Sequence, residues 1–229
     1  MNPLNNPIWH ALNTVQRHFA EGDHSAKRFP PSVTTLAGLR EQTPESFADL
    51  SRLLNDQETA ALFLDEVPDE PEGLEIVEVG PLLQMIHDGS TQTIEPVKYI
   101  PLTDKDIPAM MALAELTKPG PFGTRTRELG SFFGIYVDDR LAAMTGERLH
   151  LEGFTEVTAV CTHPDFAGRG YARALVKIMM AEIRKRGDVP FLHVRRNNVR
   201  AVGLYEKLGF KATKTNHLVV VRRDSSSVN

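Results

Sequence analysis

The sequence carries one cysteine, Cys161, in 229 residues. A lone thiol excludes an intramolecular disulfide and any centre built from several thiolates, and it fits a reducing compartment, so a cytoplasmic location is expected. No stretch approaches the roughly 20 apolar residues of a membrane span. Residues 1–10 lack a basic segment followed by an apolar run, so neither a leader nor a membrane partner is expected. Positive charge is not in excess either: 26 Lys and Arg stand against 30 Asp and Glu, a formal charge of -4. Without a broad positive field, nucleic acid is not an expected partner. Several catalytic signatures are missing as well. No Gly-Lys-Ser/Thr follows a glycine loop, no Gly-x-Ser-x-Gly elbow occurs, and neither His-Glu-x-x-His nor paired cysteines are present. A nucleoside triphosphatase, an elbow-type serine hydrolase and a zinc enzyme are therefore unsupported, and no metal site is expected.

What remains is the composition of an ordinary packed protein, 41% hydrophobic and 24% charged. The length suits one large domain or a standard domain with a smaller partner, and the pattern favours the second. Residues 1–93 read as a mixed α/β region, with helical periodicity at 7–19 and 44–54 and strands at 60–64 and 74–79 around the acidic, turn-rich stretch 65–73. From residue 94 to 224 the pattern is more regular. A strand at 97–100 precedes a helix over 107–116, capped by Thr103 or Asp104 and stopped by Lys118-Pro119-Gly120-Pro121. Strands at 132–137 and 141–148 flank Asp138-Asp139-Arg140 as a hairpin, and 156–162 adds a third. A helical face of Tyr171, Leu175, Ile178, Met179 and Ile183 follows, then a strand at 191–194, a helix begun by Asn198 and ended by Gly209, a strand at 218–221 and a tail at 225–229.

Between the third of these strands and the helical face lies Gly168-Arg169-Gly170. A strand, a glycine loop and a helix start form an anion site, because unpaired N–H groups and the helix dipole point to one place. Alone, Gly-x-Gly is as often a tight turn. The dinucleotide fingerprint fails here, since Arg173 stands where its third glycine belongs.

A longer comparison is more specific. Val160-Cys161-Thr162-His163-Pro164-Asp165-Phe166-Ala167-Gly168-Arg169-Gly170-Tyr171-Ala172 resembles the CoA-binding segment of GNAT acetyltransferases. Downstream, Asn198-x-x-Ala201-x-x-Leu204-Tyr205-Glu206-Lys207-Leu208-Gly209-Phe210 resembles the C-terminal signature of the same superfamily. The resemblance covers roughly residues 97–221 and is strongest to bacterial predicted acetyltransferases and glycine N-acyltransferase-like domains. It implies an α/β (α+β) GNAT fold, a central mixed and mostly antiparallel sheet flanked by helices, with residues 1–93 as a smaller α/β region that is a degenerate GNAT-like half. It also implies acetyl-CoA as acyl donor and an amine as acceptor: a small molecule, an amino acid or a protein amine. One departure is Ala167, where the family usually has Gln or Arg.

By the same resemblance, the backbone of Val160, Cys161 and Thr162 pairs with the pantetheine arm. Gly168, Arg169, Gly170, Tyr171, Ala172 and Arg173 wrap the pyrophosphate. Asn198 orients the cofactor or a water while capping its helix, and loop 118–123 borders the acceptor. Tyr205 protonates the departing thiolate, and either Glu156 or His193 serves as the base that frees the amine. Cys161 as a nucleophile is disfavoured, because a lone strand cysteine is usually a small buried hydrophobe and nothing adjacent activates it. Direct transfer in a ternary complex is the expected chemistry. A non-catalytic CoA-binding regulator or scaffold, its acceptor site blocked or replaced by residues 1–93, is the alternative. A homo-oligomer is compatible with both.

Overall fold

Proline and short polar side chains set where the helices begin. The computed structural model describes residues 2–69, 71, 73–91, 93–94 and 96–224, so the expected tail at 225–229 lies outside the described residues. Helix α1 (Pro7–Asn13) starts on its proline. Helix α2 (Pro44–Leu53) is capped by Thr43, whose hydroxyl accepts the Ser46 N–H. Helix α3 (Ile107–Thr117) is led in by a capping box of Thr103 and Asp106. Helix α4 (Tyr171–Lys185) begins at Gly170 without a side-chain cap. Helix α5 (Val199–Lys207) is capped by Asn198, whose side chain accepts the Ala201 N–H. The expected helix over 7–19 is shorter than its periodicity suggests. Thr14 leaves helical geometry, its hydroxyl donates to the His10 carbonyl, and only a turn of 3-10 helix follows at Arg17–Phe19.

Ten strands accompany these helices among the described residues: β1 (Ala26–Arg28), β2 (Ala37–Leu39), β3 (Thr59–Leu64), β4 (Leu74–His87), β5 (Ile100–Pro101), β6 (Phe132–Val137), β7 (Arg140–Leu151), β8 (Phe154–Thr162), β9 (Val189–Arg195) and β10 (Phe210–Arg223). β1 and β2 pair with each other, and the remaining eight form one sheet in the order β3-β10-β4-β9-β8-β7-β6-β5. Every pairing in it is antiparallel except β8 with β9, the mixed and mostly antiparallel arrangement expected.

Three strands differ from their sequence expectation. β4 runs through Gly80-Pro81, which reads as a turn; Pro81 lacks an N–H, but its carbonyl accepts from Arg196, so the ladder continues. β10 starts eight residues earlier than its apolar run, at Phe210, because Lys211, Ala212 and Thr213 occupy exposed positions where pairing does not demand apolar side chains. The strand expected at 97–100 is reduced to the two residues of β5.

Helices cover both faces of the sheet. In β7, Met144 packs with α3 residues Met110 and Leu113, while its neighbour Ala143 packs with α4 residues Leu175 and Ile178, as strand alternation requires. Helix α1 covers the face carrying Phe191, Leu149 and Leu151, and α4 covers the face carrying Val157, Leu192 and Val194. α2 packs Phe47 and Leu50 on Leu62, Val219 and Val221 at the β3 end. No helix among the described residues is long and apolar enough to cross a membrane.

Strands β3 and β4 come from residues 1–93, yet they lie inside the same sheet as the strands of residues 94–224. β4 sits between β9 and β10 and pairs with both. A chain lacking residues 1–93 should therefore lose its cooperative thermal transition by circular dichroism, because β10 would be parted from β9; a sharp unfolding transition in that truncation would overturn this prediction.

Candidate active site

The parallel pairing of β8 with β9 is short: Phe154, Thr155 and Glu156 face Val189, Pro190 and Phe191, and no pairing continues beyond them. Both strands run on, β8 to Thr162 and β9 to Arg195, so they part and leave the β8 backbone from Val157 onward without a strand on that side. A bulge accompanies the parting. Thr145 of β7 opposes both Ala159 and Val160, and Ala159 takes a left-handed φ of 50°, a conformation that costs a residue with a side chain about 1–2 kcal/mol. The bulge reverses the alternation of β8: before it Val157 faces α4, and after it Val160 does.

The open wedge is a cleft of about 550 Å3, within the usual range for a ligand site. It is lined by Val160, Cys161 and Thr162 of β8, by 166–173, and by Asn198, Arg200, Ala201, Leu204 and Tyr205 at α5, with Thr117 from the end of α3. All ten residues expected to hold the cofactor are therefore brought together. Gly168 and Gly170 have φ of 80° and 79°, and a Cβ at either would meet nothing within 4 Å, so the loop curves around open space. The first helical bond of α4 is from Ala174 N–H to the Gly170 carbonyl, which leaves the N–H groups of Tyr171, Ala172 and Arg173 without an acceptor inside the helix. These donors and the positive end of the dipole make a cradle that could hold an anion. Arg169 does not stand free: its guanidinium lies over the Phe166 ring at 5.2 Å, with Arg140 at the same distance. Ala167 also lines the cleft and brings no polar side chain to it.

Tyr205 of α5 also lines the cleft. It is 8% exposed and packs edge-on against Phe210. Burial pushes its phenol well above the ordinary value, with Cys161 adding to the shift. Burial likewise pushes the Cys161 thiol up to about 11, partly offset by a hydrogen bond with Thr117. Such a thiol is no nucleophile at neutral pH.

Glu156 and His193 meet each other but do not line this cleft. Val157 and Leu192 face α4, so their neighbours Glu156 and His193 point to the opposite face, under α1 and β3. Arg148 donates to both oxygens of Glu156, from Nε at 2.8 Å and Nη2 at 2.7 Å, and His193 Nδ1 lies 2.7 Å from Glu156 Oε1. Gln84 Nε2 donates to the Leu4 carbonyl at 2.9 Å and lies 3.3 Å from His193 Nε2. Phe63 covers the imidazole, with ring centres 4.4 Å apart. Burial alone would raise the Glu156 carboxyl, but the Arg148 charge and hydrogen bonds, with His193, hold it down at about 2. Burial depresses His193 more than Glu156 lifts it. With Glu156 ionised, the imidazole is neutral with its hydrogen on Nδ1. Neither group is among the residues that line the cleft.

Arg148, Gln84 and Thr117 were not legible as site residues. Arg148 sits in a bulge of β7 where it and Leu149 together oppose Glu156, an adjacency that depends on register. Thr117 arrives from a helix with no motif of its own. Among the described residues there is no cluster of three or more His, Cys, Asp or Glu that could hold a metal.

Comparison with known proteins agrees with the wedge. A family model described as FR47-like protein matches residues 132–219, from β6 into β10. The [ribosomal protein bS18]-alanine N-acetyltransferase of Salmonella typhimurium is 32% identical over 120 residues, covering 48% of this chain and 77% of that protein. A GNAT-family structure from Novosphingobium aromaticivorans superposes with a TM-score of 0.91 at 34% identity, over 98% of this chain and all of its own. The chain belongs to the GNAT family. A GCN5-related N-acetyltransferase from Kribbella flavida, at 15% identity with a TM-score of 0.62 over 96% of both chains, shares the fold. The Novosphingobium GNAT structure matches residues 1–93 as well as the wedge, so the inserted β4 belongs to the shared architecture.

The buried pair makes this GNAT protein acid-sensitive. Glu156 lies below its ordinary 4.5, so its stabilisation is full above that pH and is lost as pH falls toward about 2. His193 lies below its ordinary 6.5, so the unfolded chain takes up its proton first and stability falls as pH drops below 6.5. Both act in the same direction. The urea midpoint should fall steadily from about pH 7.5 to about pH 4, and His193→Asn should remove part of the fall nearest pH 6; a midpoint that is flat or rises on acidification would contradict the assignment.

Proposed function

We propose that this protein is an N-acetyltransferase that moves the acetyl group of acetyl-CoA onto an amine by direct attack in a ternary complex. The observation that carries the reading is the unpaired β8 edge running from the glycine cradle to Tyr205. The backbone of Val160, Cys161 and Thr162 offers strand-like hydrogen bonds to the amides of a pantetheine arm, and the cradle at 168–173 suits a pyrophosphate. Asn198 spends its oxygen on capping α5, which leaves its NH2 group for the ligand or a bridging water.

In this mechanism the amine lone pair attacks the thioester carbonyl, the new C–N bond forms, and the C–S bond breaks. Tyr205 donates to the departing sulfur. A phenol raised by burial is a weak acid, but the same dry setting raises a thiol: Cys161, beside it, is already at about 11. Donor and developing thiolate are raised together by sharing one environment. No carboxylate or imidazole is among the cleft-lining residues, so the amine proton leaves to water. The rate should then follow the neutral fraction of the acceptor, with kcat/KM rising about tenfold per pH unit until the acceptor pKa and no limb from an enzyme group near pH 6.

The name of the Salmonella relative places its acceptor at an alanine amine of a ribosomal protein. Peptides with a free N-terminal alanine are therefore the first acceptors to test, followed by amino acids and small amines. Tyr205→Phe should lower kcat by about 100-fold while leaving CoA affinity within about threefold, read by free-thiol release and calorimetry. Gly170→Val should abolish CoA binding, because the cradle would be filled and its left-handed φ denied. The missing base also suits a CoA-binding protein that performs no transfer. Acceptor-dependent thiol release distinguishes the two readings: tight CoA binding without release from any of the three acceptor classes would favour the binder.

A further inference from the structure

Four adjacent strands contribute to one buried polar cluster: Arg148 from β7, Glu156 from β8, His193 from β9 and Gln84 from β4. Its position along the strands is specific. Glu156 is the last β8 residue paired with β9, its register partner being Phe191, yet its carboxylate reaches forward to His193, two residues beyond the end of the ladder. The tie thus bridges the strands at the level where they part. Gln84, the register partner of His193, fixes that imidazole from the other side, and Arg148, in the β7 bulge opposite Glu156, fixes the carboxylate. At the other end of the ladder, Thr155 Oγ1 donates to Asp188 at 2.7 Å. Side-chain bonds therefore bracket a ladder of three residue pairs that would otherwise fray.

We propose that Glu156, His193, Arg148 and Gln84 act as positioning residues, a pin at the vertex of the β8/β9 wedge that sets how far the strands open and hence where the CoA arm lies. The inference rests on the proposed CoA site. It replaces the role of base for Glu156 and His193 with an action through the strands. Glu156 has no exposed surface, the His193 side chain is 1% exposed, and Phe63 lies across it. The inventory of bonds is that of a lock: an ionised carboxylate receives three donors, and the neutral imidazole has both nitrogens engaged.

The test uses His193, because removing it leaves the Arg148–Glu156 pair intact and avoids stranding a buried charge. His193→Leu deletes the tie. His193→Asn keeps a donor near the position of Nδ1 but supplies no group that can act as a base. Acetyl-CoA affinity, kcat at saturating acetyl-CoA and amide hydrogen exchange of the unliganded full chain would be measured for each. His193→Leu should weaken acetyl-CoA binding about tenfold, change kcat by less than about threefold, and speed exchange at 157–162 and 192–195 more than in α2 or β3. His193→Asn should restore affinity and protection toward the parent values. A loss of kcat by about 100-fold in His193→Asn with unchanged affinity would make His193 a base and overturn the pin. Unchanged exchange and affinity in His193→Leu would overturn it too. If His193→Leu proves unstable, the exchange pattern and affinity of Gln84→Leu, which loosens the imidazole from the β4 side, decide in the same way. A parent protein that binds no CoA would overturn the functional reading instead, and the exchange comparison would still judge the pin.

Discussion

Everything distinctive in this molecule depends on two parallel strands that separate after three residues of pairing. A sheet ordinarily consumes the hydrogen-bonding capacity of its own backbone, and an unpaired edge in the middle of a sheet is costly unless something satisfies it. Here the vacancy is held open by features around it: the bulge at Ala159, the helix start at Gly170 and the capped start of α5 at Asn198. Each makes polar backbone available toward the same space. The cleft is therefore less a hollow between side chains than a missing strand, ending in a ring of amide donors.

The same logic explains the division of labour between the two faces. On the α4 face, β8 and β9 present apolar residues that anchor the helix whose N-terminus forms the cradle. On the α1 face they present a carboxylate and an imidazole that are dry only because residues from the first 93 positions cover them. Covered, they are held by each other and by Arg148, Gln84 and Phe63.

The parts of this architecture that could be read from residues alone were those governed by local chemistry. The glycine loop, the Asn198 cap and the period of α4 follow from φ freedom, side-chain oxygen and 3.6-residue spacing, and each lies where those rules put it. The placement of Glu156 is different. Strand alternation says that it and Val157 face opposite ways, but which face meets the ligand depends on a bulge whose register is invisible until β7 is aligned with β8. Arg148 was hidden for the same reason. β1 and β2, three residues each, carry too little periodicity to be seen, and the turn-like composition of Gly80-Pro81 hides the second half of β4.

The place of β4 between β9 and β10 has a consequence in time as well as in space. Its neighbours are made later: β4 leaves the ribosome well before the β9 and β10 strands that flank it. Pairings such as Thr59 with Arg222 join residues far apart in sequence, and contacts of that kind slow folding. Until β9 and β10 arrive, Leu82, Leu83, Met85 and Ile86 of β4 have no strand partner and are exposed to mispairing with other chains. Nascent protein should therefore be most open to mispairing in the interval between the synthesis of β4 and that of β10.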